Sequence, residues 1–259
     1  MNVIGIIPAR MASSRFPGKP LAEIRGMPMI GHCYLRSTMC PLINHVYVAT
    51  CDRVICDYVE RIGGNAIMTA DTHERASDRT AEAMLKAEME LGQSADVVVM
   101  IQGDEPMITP EMLSRAIQPM LDDRTIQVLN LAGEITSREE HDDPNEVKVV
   151  VDNQDNALYF SREPIPSWKR GAKNILMLKQ ICVIPFRRDF LLTFNSLAQS
   201  PLEIAESVDM LRVLENGYNV KMVRTKELTY SVDTSDDLRD VEIAMAKDVL
   251  FERYRSVAH

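Results

Sequence analysis

The sequence predicts an α/β fold: a mostly parallel, twisted sheet with helices on both faces, joined to a smaller segment of antiparallel strands. Three observations carry that expectation. Short β-branched runs alternate with helical apolar stripes from Val3 to Ile101, the pattern of right-handed βαβ units. The unusual residues follow directly on three of those runs, after Ile7, Thr50 and Ile101, and ligands of parallel sheets collect at the carboxyl ends of the strands. Further along, Ile126 to Gly133, Val147 to Asp152 and Ala157 to Phe160 alternate or run apolar as antiparallel strands would.

The first element is Val3 to Ile7, a buried strand expected to stop at Pro8 because proline removes a backbone donor. A loop follows with small residues, a Pro17-Gly18 turn and three cations, Arg10, Arg15 and Lys19, within ten positions. Cations held so close repel one another unless an anion lies between them, and a polyphosphate fits that need. Ile30 to Met39 has helical spacing, and His45 to Thr50 is a strand. Val54, Ile55, Tyr58, Val59 and Ile62 form the stripe of a helix over Cys51 to Ile62, ended by Gly63-Gly64. Ala66 to Met68 is a short strand, Asp78 to Leu91 a helix and Asp96 to Ile101 the next buried strand. Ser167 to Lys173 is a basic, glycine-containing loop, readable as a lid over the second substrate or as a surface connection. Pro201 to Gly217 reads as one helix, with Pro in its first turn and Gly past its end. Ser235 onward begins another with capping and acidic residues.

Composition narrows the function. A chain of 259 residues makes one large α/β domain or two small ones. Neither a membrane-length apolar stretch nor a secretory leader is visible, so a soluble cytoplasmic protein is expected. A formal net charge of -9 argues against a general nucleic-acid binder, and a basic loop within an acidic chain points to a small anionic ligand. The five cysteines are odd in number and irregularly spaced, which suits reduced thiols. Gln102-Gly103-Asp104-Glu105-Pro106 follows the Asp96 to Ile101 strand. A carboxylate at a strand tip opposite a phosphate loop suits Mg²⁺, which takes one or two carboxylates and completes its shell with phosphate oxygens and water. The alternative is that Asp104 caps the helix near Pro110. The first loop is not a P-loop, since Pro20 stands where a metal-binding Ser or Thr is needed. Of the histidines, His32, His45 and His259 read as satisfied or solvated, and only His73 has a functional case, in shaping a loop.

The two motifs together, with Thr72 to Arg79, Asp143 to Val150, Ala157 to Pro166, Pro201-Leu202-Glu203, Leu211-Arg212 and Ser231 to Thr234, resemble the 3-deoxy-manno-octulosonate cytidylyltransferases, or CMP-Kdo synthetases, along almost the whole chain. The resemblance implies a Rossmann-like nucleotide-diphospho-sugar transferase fold in a single domain over 1–259. Its CTP-binding half is expected over 1–120, its sugar-binding and dimerisation half over 121–230, and a metal-site element and helix over 231–259. It implies attack of the anomeric hydroxyl of a 2-keto-3-deoxy sugar acid on the α-phosphorus of CTP, with Mg²⁺ as cofactor and a homodimer as the assembly. By the same resemblance Arg10, Lys19 and Asp104 are catalytic, and Asp104 and Asp233 hold the metal. Pro8, Ala9, Arg10, Arg15, Lys19, Ser77, Arg79, Gln102 and Gly103 bind the nucleotide. Arg15, Gln102, Gln180, Ile184, Asp209 and Met210 face the sugar.

Departures from the family pattern cluster at the implied sugar site: Gln180 for His, Cys182 for Gly, Ile184 for Tyr and Asp209-Met210 for Glu-Gln. Loss of groups that bond hydroxyls changes which sugar is accepted, so the expectation is that pyrimidine selection survives while the sugar differs from ordinary Kdo. Nearer the nucleotide, Cys51 precedes Asp52 where the family has Asp, and Arg75-Ala76-Ser77 replaces Ser-Gly-Thr. A transferase for another sugar or alcohol and a non-catalytic nucleotide-binding homologue are the alternatives; a glycosyltransferase is disfavoured by the lack of an Asp-x-Asp motif at a strand end.

Overall fold

The structure, a computed structural model, describes residues 1–12, 16–169 and 175–258. They form two compact units, Met1–Ser114 with Thr229–His259, and Arg115–Leu228.

Unit 1 opens with β1 (Val3–Ala9), a two-stranded ribbon of β2 (Glu23–Ile24) and β3 (Met27–Pro28), and α1 (Met29–Thr38). Then come β4 (His45–Thr50), α2 (Arg53–Arg61), β5 (Ala66–Met68), α3 (Ala76–Leu91) and β6 (Val97–Ile101). Strands β6, β1, β4 and β5 lie side by side in that order, all parallel. Ile4, Ile6, Ile7, Val48, Val98 and Val99 are fully buried, as expected of strands covered on both faces. The connections β1-α1-β4 and β4-α2-β5 step one way across the sheet, and β5-α3-β6 steps back past β1. Because such crossovers are right-handed, the two directions put their helices on opposite faces.

Strand β1 does not stop at Pro8 but runs through it to Ala9. The Val3 and Asn2 carbonyls accept bonds from the β4 side and the β6 side respectively, so even-numbered residues of β1 face β6. Pairing on that side ends at Ile6 opposite Met100, while the β4 side continues to Ala9 opposite Thr50. The missing donor of Pro8 therefore falls where no ladder remains.

The chain enters unit 2 within α4 (Pro110–Asp122) and continues through β7 (Leu129–Glu134), α5 (Arg138–Asp142), β8 (Lys148–Val151) and β9 (Ala157–Ser161). After β10 (Leu178–Ile181) and β11 (Val183–Arg187) come α6 (Arg188–Ser196), α7 (Pro201–Glu206), α8 (Met210–Glu215) and β12 (Lys221–Thr225). Strand order is β12-β7-β10-β8-β9; the β7-β10, β10-β8 and β8-β9 pairs are antiparallel, as expected, and β12 joins β7 in parallel. The helix read over Pro201 to Gly217 is two helices, broken at Ser207, which takes a left-handed conformation at φ 54°. In one straight helix Glu203 and Arg212 would stand about 13.5 Å apart along the axis. The break brings them into a two-pronged ion pair at 2.5 and 2.7 Å with both side chains buried.

Back in unit 1, α9 (Ser235–Met245) starts with a reciprocal cap between Thr234 and Asp237. Val232, Val241, Met245, Phe251 and Tyr254 pack with Ile24, Met27 and Met29.

Candidate functional site

The strand order reverses between β1 and β6, and at such a switch point the two outgoing loops separate and leave a crevice. The loops after these two strands line a cavity of about 320 Å³ in unit 1, with Pro8, Ala9 and Arg10 from one and Gln102, Gly103 and Asp104 from the other. The segment before α3 and the first turn of α3 supply another wall through His73, Arg75 and Arg79. Gly103 serves by closeness here: a Cβ on it would stand 3.3 Å from the Pro8 carbonyl and from Ile30. The basic loop is anchored by Asp52, whose carboxylate accepts the Met11 amide at 2.7 Å, while the Asp52 amide donates to Thr50 Oγ1 at 3.0 Å.

Lys19 enters from a single 3-10 turn, Lys19–Leu21, set up by Gly18 at φ 77° and by Pro20. Its ammonium donates to Asp104 Oδ2 at 2.7 Å, Asp233 Oδ1 at 3.2 Å and the Val232 carbonyl at 2.8 Å. All three ammonium donors are used. The C-terminal return is brought there by its backbone, the Val232 amide donating to the Asp104 carbonyl at 3.0 Å. Burial works to lower the Lys19 pKa, and the Asp104 and Asp233 carboxylates outweigh it, so the net shift is upward and the ammonium stays charged.

On the third wall Arg79 is 3% exposed, and its Nη1 donates to Thr69 Oγ1 and to the Ala70 carbonyl. Its Nη2 is buried with no hydrogen-bond partner. His73 bonds Glu82, which also accepts the Ala70 amide and pairs with Lys86. Burial would raise the Glu82 pKa, but Lys86, the Ala70 amide and His73 together bring it down to about 2. The loop that carries Arg79's acceptors is thus held by an ionised carboxylate.

Most residues singled out from the sequence meet in this cavity: Pro8, Ala9, Arg10, Lys19, Arg79, Gln102, Gly103 and Asp104 line it. Asp233 joins through Lys19, and its neighbour Thr234, not Asp233 itself, caps α9. Asp104 binds Lys19 across the crevice in place of the alternative helix cap. Ser77 is fully buried on α3 and is not among the lining residues. Arg15 lies outside the described residues, as does His259. Sequence reasoning missed Pro20, Glu74 and the Val232 carbonyl; a main-chain oxygen carries no residue signal at all. In unit 2, Gln180 and Asp209 are partly exposed, and Gln180 donates to Asn130 Oδ1. Ile184 and Met210 are 3% and 0% exposed.

Among the described residues no cluster of three or more His, Cys, Asp or Glu side chains is arranged to hold a metal. Two carboxylates suffice for Mg²⁺ when a nucleotide supplies further oxygens. The fit is supported by Asp104 Oδ1, which is buried and has no hydrogen-bond partner, and by the way Asp104, Asp233 and the Val232 carbonyl already surround one cation. Hard oxygen donors of this kind suit Mg²⁺.

A basic crevice at a sheet switch point, with two carboxylates paired on its lysine, is the arrangement of a nucleotidyltransferase, and residues 4–227 match the cytidylyltransferase family model. The chain is 42% identical over 251 residues to the 3-deoxy-manno-octulosonate cytidylyltransferase of Geobacter metallireducens, covering 93% of this chain and 96% of that one. It is 40% identical over 254 residues to the enzyme of the same name from Syntrophus aciditrophicus, covering 98% and 99%. Among solved structures, a CMP:2-keto-3-deoxy-manno-octonic acid synthetase complexed with CTP superposes with a TM-score of 0.88 at 40% identity, covering 95% of this chain and 99% of that one. A 4-diphosphocytidyl-2C-methyl-D-erythritol synthase from Anaerococcus prevotii, 12% identical with a TM-score of 0.60 and the same coverage, shares the fold. The chain belongs to the 3-deoxy-manno-octulosonate cytidylyltransferase family.

Proposed function

We propose that this protein transfers CMP from CTP to the anomeric hydroxyl of a 2-keto-3-deoxy-octulosonate, releasing pyrophosphate. The observation that carries the reading is the convergence of Arg10, Lys19, Arg79 and Asp104 on one crevice, in a chain with the relatives described above. In-line transfer at phosphorus needs neutralised charge and fixed geometry more than covalent help. Arg10 and Lys19 hold the triphosphate, and Arg15 holds either the triphosphate or the sugar carboxylate. The free Nη2 of Arg79 is suited to donate to the pyrimidine or its ribose, and Pro8, Ala9, Gln102 and Gly103 shape the nucleotide's bed. Asp104 and Asp233 would hold Mg²⁺, which when bound neutralises phosphate charge and orients the leaving group.

On the acceptor side, Gln180 and Asp209 of unit 2 bond the sugar. Ile184 and Met210, buried where the family carries Tyr and Gln, alter the pocket through packing. A modified octulosonate is therefore the favoured acceptor. Residues 1–120 serve the nucleotide, 121–230 the sugar and the homodimer contact, and 231–259 the metal site, within one catalytic domain. The dimer reading is supported by exposed Leu158 on edge strand β9 and by exposed Leu202 and Ile204 on α7. No helix among the described residues is long and apolar enough to cross a membrane, which is consistent with a cytoplasmic enzyme. Pyrophosphate release with CTP, Mg²⁺ and a panel of ulosonic acids is the test. Release with an octulosonate supports the reading, and Met210→Gln with Ile184→Tyr should move preference toward Kdo. Failure of every ulosonate while another acceptor turns over would overturn it.

A further inference from the structure

Lys19 does more in this structure than wait for a phosphate. Its ammonium sits inside the oxygen cage that the two carboxylates and a carbonyl make, at 2.7, 3.2 and 2.8 Å, with only 13% of its side chain exposed. Two of those three oxygens belong to the pair proposed to bind Mg²⁺, while Asp104 Oδ1 stands buried and unused beside them. An ammonium nitrogen bonds oxygen at about 2.8 Å, whereas Mg²⁺ requires about 2.1 Å and near-octahedral order. One set of oxygens cannot serve both cations at once, and two cations in one small cage repel strongly. Arg10 faces the same crevice but is exposed and bonds neither carboxylate.

We propose that Lys19 is a tethered cation that fills the metal position of Asp104 and Asp233 in the free protein, so that metal is bound by both carboxylates only after a nucleotide phosphate has drawn Lys19 out. The inference rests on the reading of those two residues as the metal pair. It gives Lys19 two successive partners. In the free protein it stitches the β1 loop, the β6 tip and the C-terminal return together; in the loaded protein it neutralises phosphate. Metal and nucleotide then load as a unit, and free divalent ions do not close the site empty.

The test is direct Mn²⁺ binding to nucleotide-free protein, followed by the loss of the free-ion EPR signal, with circular dichroism confirming the fold of each variant. Lys19→Met should bind Mn²⁺ at least about ten-fold more tightly than the wild-type chain, and Lys19→Gln, which keeps a neutral amide donor group, by a smaller factor. Arg10→Met removes the same charge from the same crevice and should change affinity by less than about three-fold. Adding Asp104→Asn to Lys19→Met should abolish the gain. Unchanged affinity in both Lys19 variants, or an equal gain in Arg10→Met, overturns the proposal. A parallel titration of wild type and Asp104→Asn with Mn²⁺ and CTP separates the two layers. If Asp104→Asn holds Mn²⁺ with CTP as well as wild type does, the metal-pair reading falls and takes the proposal with it. If it holds less while the Lys19 variants show no gain, the tethered cation alone is wrong.

Discussion

Among the described residues of unit 2, the buried charged side chains Lys148, Lys179, Glu203 and Arg212 are matched donor for acceptor. Lys148, fully buried, donates to the carbonyls of Asp143, Glu146 and Arg162. Arg212 takes both oxygens of fully buried Glu203 and lies over the Phe194 ring at 4.5 Å, and Lys179 sits between Glu140 and Glu146 at 2.7 and 2.9 Å. In unit 1 two charged groups, Asp104 and Arg79, each keep a buried atom with no partner, and both line the same crevice. A buried polar atom left without a partner costs about 1–3 kcal/mol. Complete pairing marks charge used to build the unit, and the incomplete pairing at the switch point marks charge held ready for a ligand.

The largest effect that would break this contrast is in unit 2. Arg212→Met leaves Glu203 buried and uncompensated, so unfolding in urea should come earlier by about 3–5 kcal/mol. Combining it with Glu203→Leu should restore most of that stability. A variant as stable as wild type would show that pairing in unit 2 is incidental. Next is Asp104→Asn, expected to slow CTP-dependent pyrophosphate release by about 10²–10³-fold while moving the urea midpoint less than Arg212→Met does. Retained turnover would remove the basis for reading the unpartnered oxygen as functional.

How far these differences could be read from residues alone depends on what kind of group carries them. The tips of β1 and β6 were legible, because a run of buried residues followed by Arg10 or by Asp104 states both the strand and the chemistry at its end, and the switch-point rule brings the two together. Asp233 lies more than two hundred positions from Lys19, and only resemblance linked them. The Val232 carbonyl could not be anticipated, since every residue has one. The break at Ser207 was hidden as well, for Pro201 to Gly217 satisfies helical spacing throughout. What overrides it is the tertiary pairing of Glu203 with Arg212, and local propensity is silent about partners that meet only after folding. Pro8 misled for a related reason: a proline ends a strand only on the side where a donor is wanted.

The contrast can be sharpened inside unit 1, where one buried group is fully matched. His32 donates from Nε2 to the Ile24 carbonyl at 2.9 Å and accepts the Tyr254 hydroxyl at Nδ1 at 2.9 Å, while Arg36 donates to Tyr254 and pairs with Asp248. Burial, aided by the Arg36 charge, pushes the His32 pKa down to about 4 from its ordinary 6.5. Between those values the unfolded chain takes up a proton that the folded one refuses. Stability is therefore full above pH 6.5 and falls as pH drops toward 4, by at most about 3 kcal/mol. His32→Gln should flatten that part of a urea-midpoint-against-pH profile. A slope unchanged by the substitution would move the acid sensitivity to other groups.

The smallest expected effect is at Arg79, and it decides most finely between structural and waiting charge. Its Nη1 is used by Thr69 and Ala70, whereas its Nη2 is not used at all. Arg79→Met removes both, so some stability goes with the first and ligand affinity with the second. One hydrogen bond from a charged donor corresponds to about a ten-fold change in binding. CTP affinity measured by calorimetry should fall by about that factor, with a smaller loss of unfolding free energy than Arg212→Met shows. If stability falls as far as in Arg212→Met and CTP binds as before, the unpartnered nitrogen serves the fold, and the contrast between the two units narrows to Asp104.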